Sequence, residues 1–286
     1  FSFQYNANSK KQTGKFMRNF LKIFVLLLSP IIALAYSDAK VFQKIEKDLD
    51  SIIVKDLNKK QLIFQKDANQ KIRPASLTKI MTAILAIESG KMDSVVTITA
   101  EMKKVEPTIM NFKVGEKFYL RDLVNAAMIK SANDAANAIA IYLGNGSKQK
   151  FVTMMNTKAK KLGMKNTNFE NPCGFDAPNH KSTASDLLKL TEYSIKNSTF
   201  NNIVKKESYS FKAINTKRSY FAHTSNKLLP KEKYMIGVKT GYTSKAGPCL
   251  IARAKDGKKD ILLVMLNSQN RWANTKLALD TVLDKR

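Results

Sequence analysis

The sequence predicts an α+β fold in which segments from both ends of the chain share one antiparallel sheet. Strand-like segments occur near the start of the chain and again after residue 205, whereas the stretch between them has helical periodicity. Neither an internal repeat nor a linker-like stretch interrupts this order. We therefore expect a single α+β domain over residues 36–286, with the helical region lying between the two sets of strands.

The 35 residues before this domain have a different composition and pattern. Residues 17–35, MRNFLKIFVLLLSPIIALA, contain two basic residues, an apolar run and a small-x-small end at Ala33 and Ala35, which is the plan of a secretory signal peptide. The apolar run is shorter than the roughly 20 residues that span a bilayer, although a retained anchor is the alternative. Residues 1–16 are polar and are interpreted as upstream or tag sequence. Secretion to the periplasm or cell envelope is expected.

A β-hairpin is the first element predicted for the domain. Residues 51–67, SIIVKDLNKKQLIFQKD, contain two strand-like runs around an Asn-Lys-Lys turn. A helix follows over residues 76–88, with Pro74 at its entry. Apolar residues surround the whole cylinder of this helix, so it is expected to be buried on most sides. Residues 95–100, VVTITA, predict a further strand.

The middle of the chain is predicted to be helical, and the end returns to strands. Its helical segments are 114–130 (after a turn at Gly115), 134–144, 147–163 and 182–197, with an Asn-, Pro- and Gly-rich loop at 166–180. The strand-like segments after it are 208–214, 234–241, 247–254 and 260–268, followed by a closing helix at 273–285. This order supports the α+β assignment.

The net charge is strongly positive. The chain has 49 Lys and Arg residues against 23 Asp and Glu residues, a formal net charge of +26. Such a surface is either simply solvated or attracts polyanions such as anionic lipid, an acidic envelope polymer or nucleic acid. Because no zinc-finger or RNA-recognition motif accompanies the charge, and aromatic residues do not alternate with basic clusters, a nucleic-acid partner is not expected.

The cysteines and histidines exclude several chemistries. Cys173 and Cys249 could pair in an oxidising compartment, but Cys249 lies in a strand that reads as buried, so packed thiols are expected. His180 and His223 are the only histidines, and neither lies near a nucleophile-elbow pattern. A structural or exposed position is expected for His180. Without H-E-x-x-H or a Cys/His cluster, no metal and no cofactor are predicted.

Three short motifs contain residues suited to catalysis. Ser76 and Lys79 form S-x-x-K at the start of the buried helix, where backbone amides favour negative charge on the serine oxygen. The lysine falls on the same face one turn later. Ser131 and Asn133 form S-x-N between two helices, and residues 239–241 form K-T-G on a strand. Gly241 permits close approach of another backbone, here an extended peptide substrate. Each motif alone has an ordinary structural explanation.

In this order the motifs resemble those of the serine-type D-alanyl-D-alanine carboxypeptidases, low-molecular-mass penicillin-binding proteins of the β-lactamase/transpeptidase-like family. The resemblance extends to RPASLTKIMTA, NPCGFDAPNHKSTASDLLKL and KTGYTSKAG, and covers roughly residues 40–284. It implies an enzyme that removes the terminal D-alanine from peptidoglycan stem peptides through an acyl-serine intermediate. It also implies acylation by β-lactam antibiotics such as penicillins.

The resemblance implies a role for each candidate residue. Ser76 is expected to be the nucleophile and Lys79 its base, with a pKa lowered by burial and by the cation of Lys239. Ser131 would relay the proton to the departing D-alanine. The residues expected to bind substrate are Asn133, Lys239, Thr240, Tyr242 and Arg271, and the backbone amides of Ser76 and Tyr242 would form the oxyanion hole.

Three alternatives stay open. A D,D-endopeptidase that cleaves peptidoglycan cross-links has the same compact form, although SAND (131–134) is closer to the carboxypeptidase version. A β-lactamase needs a deacylating glutamate, and the nearest candidate, Glu170, has the surroundings of the carboxypeptidase loop. A non-catalytic wall-peptide binding protein would have no use for Lys79 beside Ser76. The chain ends at Arg286 without the membrane-docking helix of many relatives, so the basic surface is expected to hold it near the envelope.

Overall fold

The computed structural model describes residues 39–285, and those from Ile45 onward belong to one compact unit. The strands, in chain order, are β1 (Ser51–Asp56), β2 (Gln61–Lys66), β3 (Val95–Thr97), β4 (Lys117–Tyr119), β5 (Ser208–Lys212), β6 (Ser219–His223), β7 (Met235–Thr243), β8 (Gly247–Asp256) and β9 (Lys259–Leu266). The predicted segments 1–16 and 17–35 lie outside the described residues.

The helices are α1 (39–45), α2 (Lys79–Glu88), α3 (Leu120–Ile129), α4 (Asn133–Leu143), α5 (Lys148–Lys161), α6 (Ala184–Ser194), α7 (Ser198–Val204) and α8 (Arg271–Val282). Short 3₁₀ turns cover Glu46–Asp48, Ala75–Thr78 and Glu101–Lys103. In the part of the chain that is described, no helix has both the length and the apolar character to cross a membrane.

The main sheet joins the two ends of the chain, as predicted. It is antiparallel, with strand order β2-β1-β9-β8-β7, and Val54 of β1 pairs with Leu263 of β9. Residues 260–266 of β9 are all buried. Successive residues of a strand point to opposite faces, so this central strand is covered on both faces. Helix α6 packs against β1 and β9, and α8 packs against β8 and β9. The α+β fold class is confirmed.

Helix α2 is surrounded by other helices. Its residues from Lys79 to Ile84 are all buried, and it packs against α3, α4 and α6. A helix with apolar residues around the whole cylinder requires neighbours on most sides, which agrees with the prediction. The 3₁₀ turn Ala75–Thr78 leads into it directly, so Ser76 lies half-buried on the turn while Lys79, the first residue of the helix, is fully buried.

The small strands differ from prediction. The predicted strand 208–214 forms β5, but it pairs with β6 outside the main sheet. The predicted strand 95–100 ends at Thr97 and pairs with β4, which lies within the segment 114–130 that was predicted to be helical after the turn at Gly115. Strands β4 and β6 and helix α7 were not predicted, because three to seven residues contain too little periodicity. Tertiary contacts decide them: Phe118 of β4 is fully buried, in ring contact with Phe112, Phe211 and Tyr220.

Both cysteines are free and buried, which agrees with the expected packed thiols. Burial raises the pKa of the Cys173 thiol and that of the Cys249 thiol to about 11. Both therefore stay protonated at neutral pH. The Cys173 thiol donates a hydrogen bond to the carbonyl oxygen of Asn133 at 3.4 Å.

Candidate active site

Ser76 lies on the 3₁₀ turn before α2, where two glycines enclose its backbone. A Cβ at Gly174 would lie 1.8 Å from the carbonyl oxygen of Ala75, and one at Gly241 would lie 3.3 Å from the nitrogen of Ser76. Ala75 itself has a left-handed φ of 47°. The prediction for Gly241 is therefore corrected: the backbone that approaches this strand glycine closely is the protein's own residues 74–76. The serine is held between β7 and the loop that contains Gly174.

Lys79 is buried directly beneath the serine. Its Nζ donates hydrogen bonds to Ser76 Oγ and to the carbonyl oxygen of Cys173, both at 2.8 Å. No carboxylate of the described residues forms an ion pair with it, and burial lowers its pKa from 10.5 to about 8. A minor fraction of the amine is thus neutral near physiological pH, and that fraction grows as the pH rises. A neutral amine at hydrogen-bond distance from a hydroxyl is able to accept its proton.

The loop after α5 supplies the second partner of Lys79. The side-chain oxygen of Asn171 accepts backbone hydrogen bonds from Cys173, Gly174 and Phe175, at 2.7 to 3.2 Å. These bonds hold the loop in a tight turn. The carbonyl oxygen of Pro172 accepts a hydrogen bond from Thr82 Oγ1 of α2 at 2.8 Å. The carbonyl of Cys173 is consequently fixed in position against the lysine.

His180 connects this loop to the turn that contains Ser76. Its Nδ1 accepts a hydrogen bond from the backbone nitrogen of Glu170 at 2.9 Å, so Nε2 carries the proton and donates to Thr78 Oγ1 at 2.9 Å. Burial lowers the pKa of His180 to about 4, which keeps the ring neutral. The histidine is therefore structural and buried rather than exposed, and it does not contact Ser76 Oγ.

Ser131 and Asn133 lie at the junction of α3 and α4. Ser131 has a left-handed φ of 67°, and its hydroxyl has no hydrogen-bond partner within residues 39–285. The side-chain nitrogen of Asn133 donates to the carbonyl oxygen of Glu106 at 2.9 Å, and its backbone nitrogen donates to that of Thr108 at 2.7 Å. The amide oxygen of Asn133 stays available for a ligand, as does the serine hydroxyl.

Strand β7 brings together the K-T-G residues. Lys239 is 1% exposed, and its Nζ donates to the carbonyl oxygen of Thr240 at 3.1 Å. Its burial and the nearby charges of Lys79 and Arg271 lower its pKa well below the ordinary value. Thr240 Oγ1 lies 2.6 Å from Ser225 Oγ. Arg271, at the start of α8, donates to the carbonyl oxygens of Gly241 (2.6 Å) and Cys249 (3.2 Å), and burial lowers its pKa.

A cleft of about 420 Å³ opens over these motifs. Four of the predicted residues line it: Ser76, Ser131, Asn133 and Tyr242, the last with 64% of its surface exposed. Lys79, Lys239, Thr240 and Arg271 are not among its lining residues; three are buried and Arg271 is half-buried. Sequence reasoning assigned no role to segments 106–108 and 173–176, which also line the cleft. The second is part of the quoted loop, whereas the first contains no motif.

Comparisons with known proteins agree with this geometry. Residues 38–270 match the family described as Peptidase_S11, D-alanyl-D-alanine carboxypeptidase. The chain is 31% identical over 252 residues to D-alanyl-D-alanine carboxypeptidase DacF of Bacillus subtilis, covering 86% of this chain and 64% of that protein. It is 29% identical over 269 residues to a D-alanyl-D-alanine endopeptidase of Pseudomonas aeruginosa, covering 90% and 86%.

The solved structures include a similar fold. The Streptomyces K15 DD-transpeptidase superposes with a TM-score of 0.78 at 28% identity, covering 82% of this chain and 96% of that one. The chain thus spans less than two thirds of the length of DacF but nearly the whole of the transpeptidase structure.

Placing a methyl group at Gly174 is expected to disturb the serine turn. Gly174→Ala adds a Cβ that clashes with the carbonyl of Ala75, whereas Gly115→Ala has the same left-handed strain (φ of 87° against 92°) with nothing within 4 Å. We expect Gly115→Ala to lose about 1 kcal/mol of stability and to keep its reactivity. Gly174→Ala should react at least about 100-fold more slowly with labelled penicillin, because the nucleophile is displaced. Equal rates in the two variants would contradict the enclosed-turn interpretation.

Proposed function

The chain belongs to the D-alanyl-D-alanine carboxypeptidase family, and from that premise we propose that it removes the terminal D-alanine from peptidoglycan stem peptides. One observation carries the proposal: the fully buried Lys79 Nζ lies 2.8 Å from Ser76 Oγ, at the floor of a cleft. The reaction is a serine acylation followed by hydrolysis, and it uses no metal or cofactor.

Acylation begins at Ser76. The neutral amine of Lys79 takes the hydroxyl proton while Oγ attacks the carbonyl carbon of the penultimate D-alanine. Negative charge develops on the carbonyl oxygen, and we assign the backbone amides of Ser76 and Tyr242 to that oxygen. Both residues line the cleft. The bond between the two D-alanines breaks, and the departing nitrogen receives the proton through the Ser131 hydroxyl, which has no other partner among the described residues.

Deacylation reuses the same groups. Water attacks the acyl-Ser76 carbonyl and gives a proton to Lys79, and Ser76 recovers its proton as the shortened peptide leaves. Division of the reaction into two similar steps lets one base serve both.

The cations behind the cleft are suited to the terminal carboxylate of the substrate. Burial, together with repulsion by the charges of Lys79 and Arg271, lowers the pKa of Lys239, and no carboxylate of the described residues pairs with Lys239 or Arg271. An arriving carboxylate would relieve this repulsion. Thr240 and Asn133 complete the proposed binding set, with the amide oxygen of Asn133 facing the substrate amide.

A second candidate is D,D-endopeptidase action on cross-linked peptides. The relative named as an endopeptidase matches 90% of this chain, so this fold is compatible with that activity. A β-lactamase is less well supported. The carboxylate of Glu170 accepts a hydrogen bond from the backbone nitrogen of Asn179 at 2.9 Å, and Glu170 is not among the residues that line the cleft. Bound penicillin is therefore expected to be released slowly.

We also infer that the protein is exported and acts in the periplasm or cell envelope. The signal-peptide pattern of residues 17–35 and the net charge of +26 support this inference. Contact of the basic surface with anionic lipid or wall polymer would hold the enzyme near its substrate. Binding of the purified protein to envelope fractions should weaken markedly between about 0.1 and 1 M salt, because surface charges are screened. Binding that is unaffected by salt would contradict an electrostatic attachment.

Labelling with penicillin tests the proposed reaction. Peptide mapping should find a stable adduct on Ser76 that is absent from Ser76→Ala and retained in Ser244→Ala, a matched substitution in the same cleft. Lys79→Met should label about 10²- to 10⁴-fold more slowly, because the group that accepts the serine proton is removed. Thermal unfolding of this variant is the control for the lost hydrogen bonds to Ser76 and Cys173. Release of D-alanine from a pentapeptide, but not cleavage of a cross-linked dimer, identifies the carboxypeptidase. The reverse identifies the endopeptidase, and rapid drug hydrolysis the β-lactamase.

The pH dependence of acylation should follow Lys79. Burial lowers its pKa from 10.5 to about 8, and only the neutral amine is a base, so the reactive fraction grows as pH rises. We expect the acylation rate to increase about ten-fold between pH 6 and 7 and to level off above about pH 8. Stopped-flow measurement with a fluorescent penicillin provides the profile, with thermal unfolding at each pH as the control for structure. A flat profile from pH 6 to 9 would be inconsistent with Lys79 as the base.

A further inference from the structure

The charged side chains that line the cleft have the opposite sign to the protein as a whole. The chain has 49 basic residues against 23 acidic ones, yet the only charged residues in the cleft lining, as far as the structure describes it, are Glu106 and Asp176. A carboxylate at the cleft surface gives that part of the lining a preference for cationic groups, whereas the basic side chains of Lys79, Lys239 and Arg271 lie behind the surface. This preference is not needed for binding the terminal carboxylate, so it points to another part of the ligand.

The two acidic residues differ in what they contact. The carboxylate of Asp176 accepts a hydrogen bond from Thr243 Oγ1 at 2.9 Å and lies 3.6 Å from Arg73 Nε. The carboxylate of Glu106 has neither an ion pair nor a hydrogen bond to any residue within 39–285, and its side chain is exposed to the cleft. Asp176 is thus occupied by the fold, and Glu106 is free to bind a ligand.

The backbone around Glu106 is held firmly to the second motif. Its carbonyl oxygen accepts a hydrogen bond from the side chain of Asn133 at 2.9 Å, and that of Thr108 accepts one from the Asn133 backbone at 2.7 Å. The carboxylate of Asp134 accepts hydrogen bonds from the backbone nitrogens of Met110 and Asn111. The segment therefore keeps a fixed place relative to Asn133, which reduces the ordering cost of binding.

The position of Glu106 identifies the part of the substrate that it faces. The terminal carboxylate is assigned to Lys239 of β7 and to Arg271, whereas the backbone of Glu106 is bonded to Asn133 at the start of α4. Asn133 is assigned to the substrate amide ahead of the reacting carbonyl. The side chain of Glu106 therefore lies beside the acyl-donor portion, the residues that precede the D-alanyl-D-alanine pair.

We propose that Glu106 is a specificity residue that binds a free ammonium group on the residue preceding the D-alanyl-D-alanine pair. The proposal rests on the proposed function, since it assumes the same orientation of peptide in the cleft. Glu106 takes no part in bond making or breaking, and it selects stem peptides with an amine-bearing side chain. Because the carboxylate is exposed when no ligand is bound, the preference is modest and depends on salt.

Two peptides that differ only in one charge test the proposal: Nα-acetyl-L-lysyl-D-alanyl-D-alanine and its Nα,Nε-diacetyl counterpart. Each is measured as a competitor of acylation by a labelled penicillin with an uncharged side chain, which reports binding whether or not the peptide is turned over. Release of D-alanine is recorded separately. The wild-type enzyme should bind the free amine about five-fold more tightly, and Glu106→Gln should bind both peptides equally. Glu101→Gln, whose carboxylate is paired with Lys104 and lies outside the cleft lining, should retain the five-fold preference.

The outcomes separate this inference from the proposed function. A five-fold preference that disappears in Glu106→Gln and is retained in Glu101→Gln establishes the ammonium site. Equal binding of both peptides by the wild-type enzyme, or a preference that survives in Glu106→Gln, overturns it. A selective preference without any release of D-alanine would keep the ammonium site and refute the carboxypeptidase assignment instead.

Discussion

The burial of Lys79 beside Ser76 is the constraint on which the active site depends. An ammonium with no surrounding water and no carboxylate partner is costly, and the lowering of its pKa from 10.5 to about 8 corresponds to about 3 kcal/mol against the charged form. The surrounding structure has to keep the lysine there. Helix α2, which is buried on most sides, and the carbonyl oxygen of Cys173 hold the lysine in place. The stability of the fold thus offsets the free energy needed to bury a reactive base.

The turn Ala75–Thr78, which contains Ser76, is also held in place by contacts from other parts of the chain. Its backbone is enclosed by Gly174 and Gly241, and neutral His180 links it to the loop through Thr78. These contacts come from three parts of the chain that are more than 60 residues apart in sequence. Their common effect is to fix the distance between a hydroxyl and an amine, which reactivity requires more strictly than stability does.

Much of the fold was predictable where the sequence repeats a simple physical pattern. The apolar cylinder of α2, the β1–β2 hairpin and the buried strands at the C-terminus follow from periodicity and hydrophobicity. The two small sheets were not predictable in this way, because strands of three to five residues are stabilised by contacts such as those of Phe118 with its aromatic neighbours. Secondary structure of that length is decided by tertiary packing rather than by local preference.

The motif residues of the candidate site were predictable from the sequence, whereas the other residues that line or support the cleft were not. Ser76, Lys79, Ser131 and Asn133 stand at fixed short spacings that a reader of the sequence can find. Glu106 and His180 stand at no such spacing, and their roles appear only when hydrogen bonds across the chain are known. The role of Gly241 was misassigned because a glycine in a strand shows that some backbone approaches, without showing which one.

The pairing of β1 with β9 also has a consequence for the order of assembly. The central strand of the sheet is residues 259–266, and the strand beside it is residues 51–56, so the two are separated by about 200 residues. During synthesis, which starts at the N-terminus, the main sheet cannot form completely until nearly the whole chain has been made. Contacts this distant in sequence slow folding and leave helical segments exposed meanwhile. The architecture that buries the base therefore makes completion of the main sheet a late event, which requires the last strand of the chain.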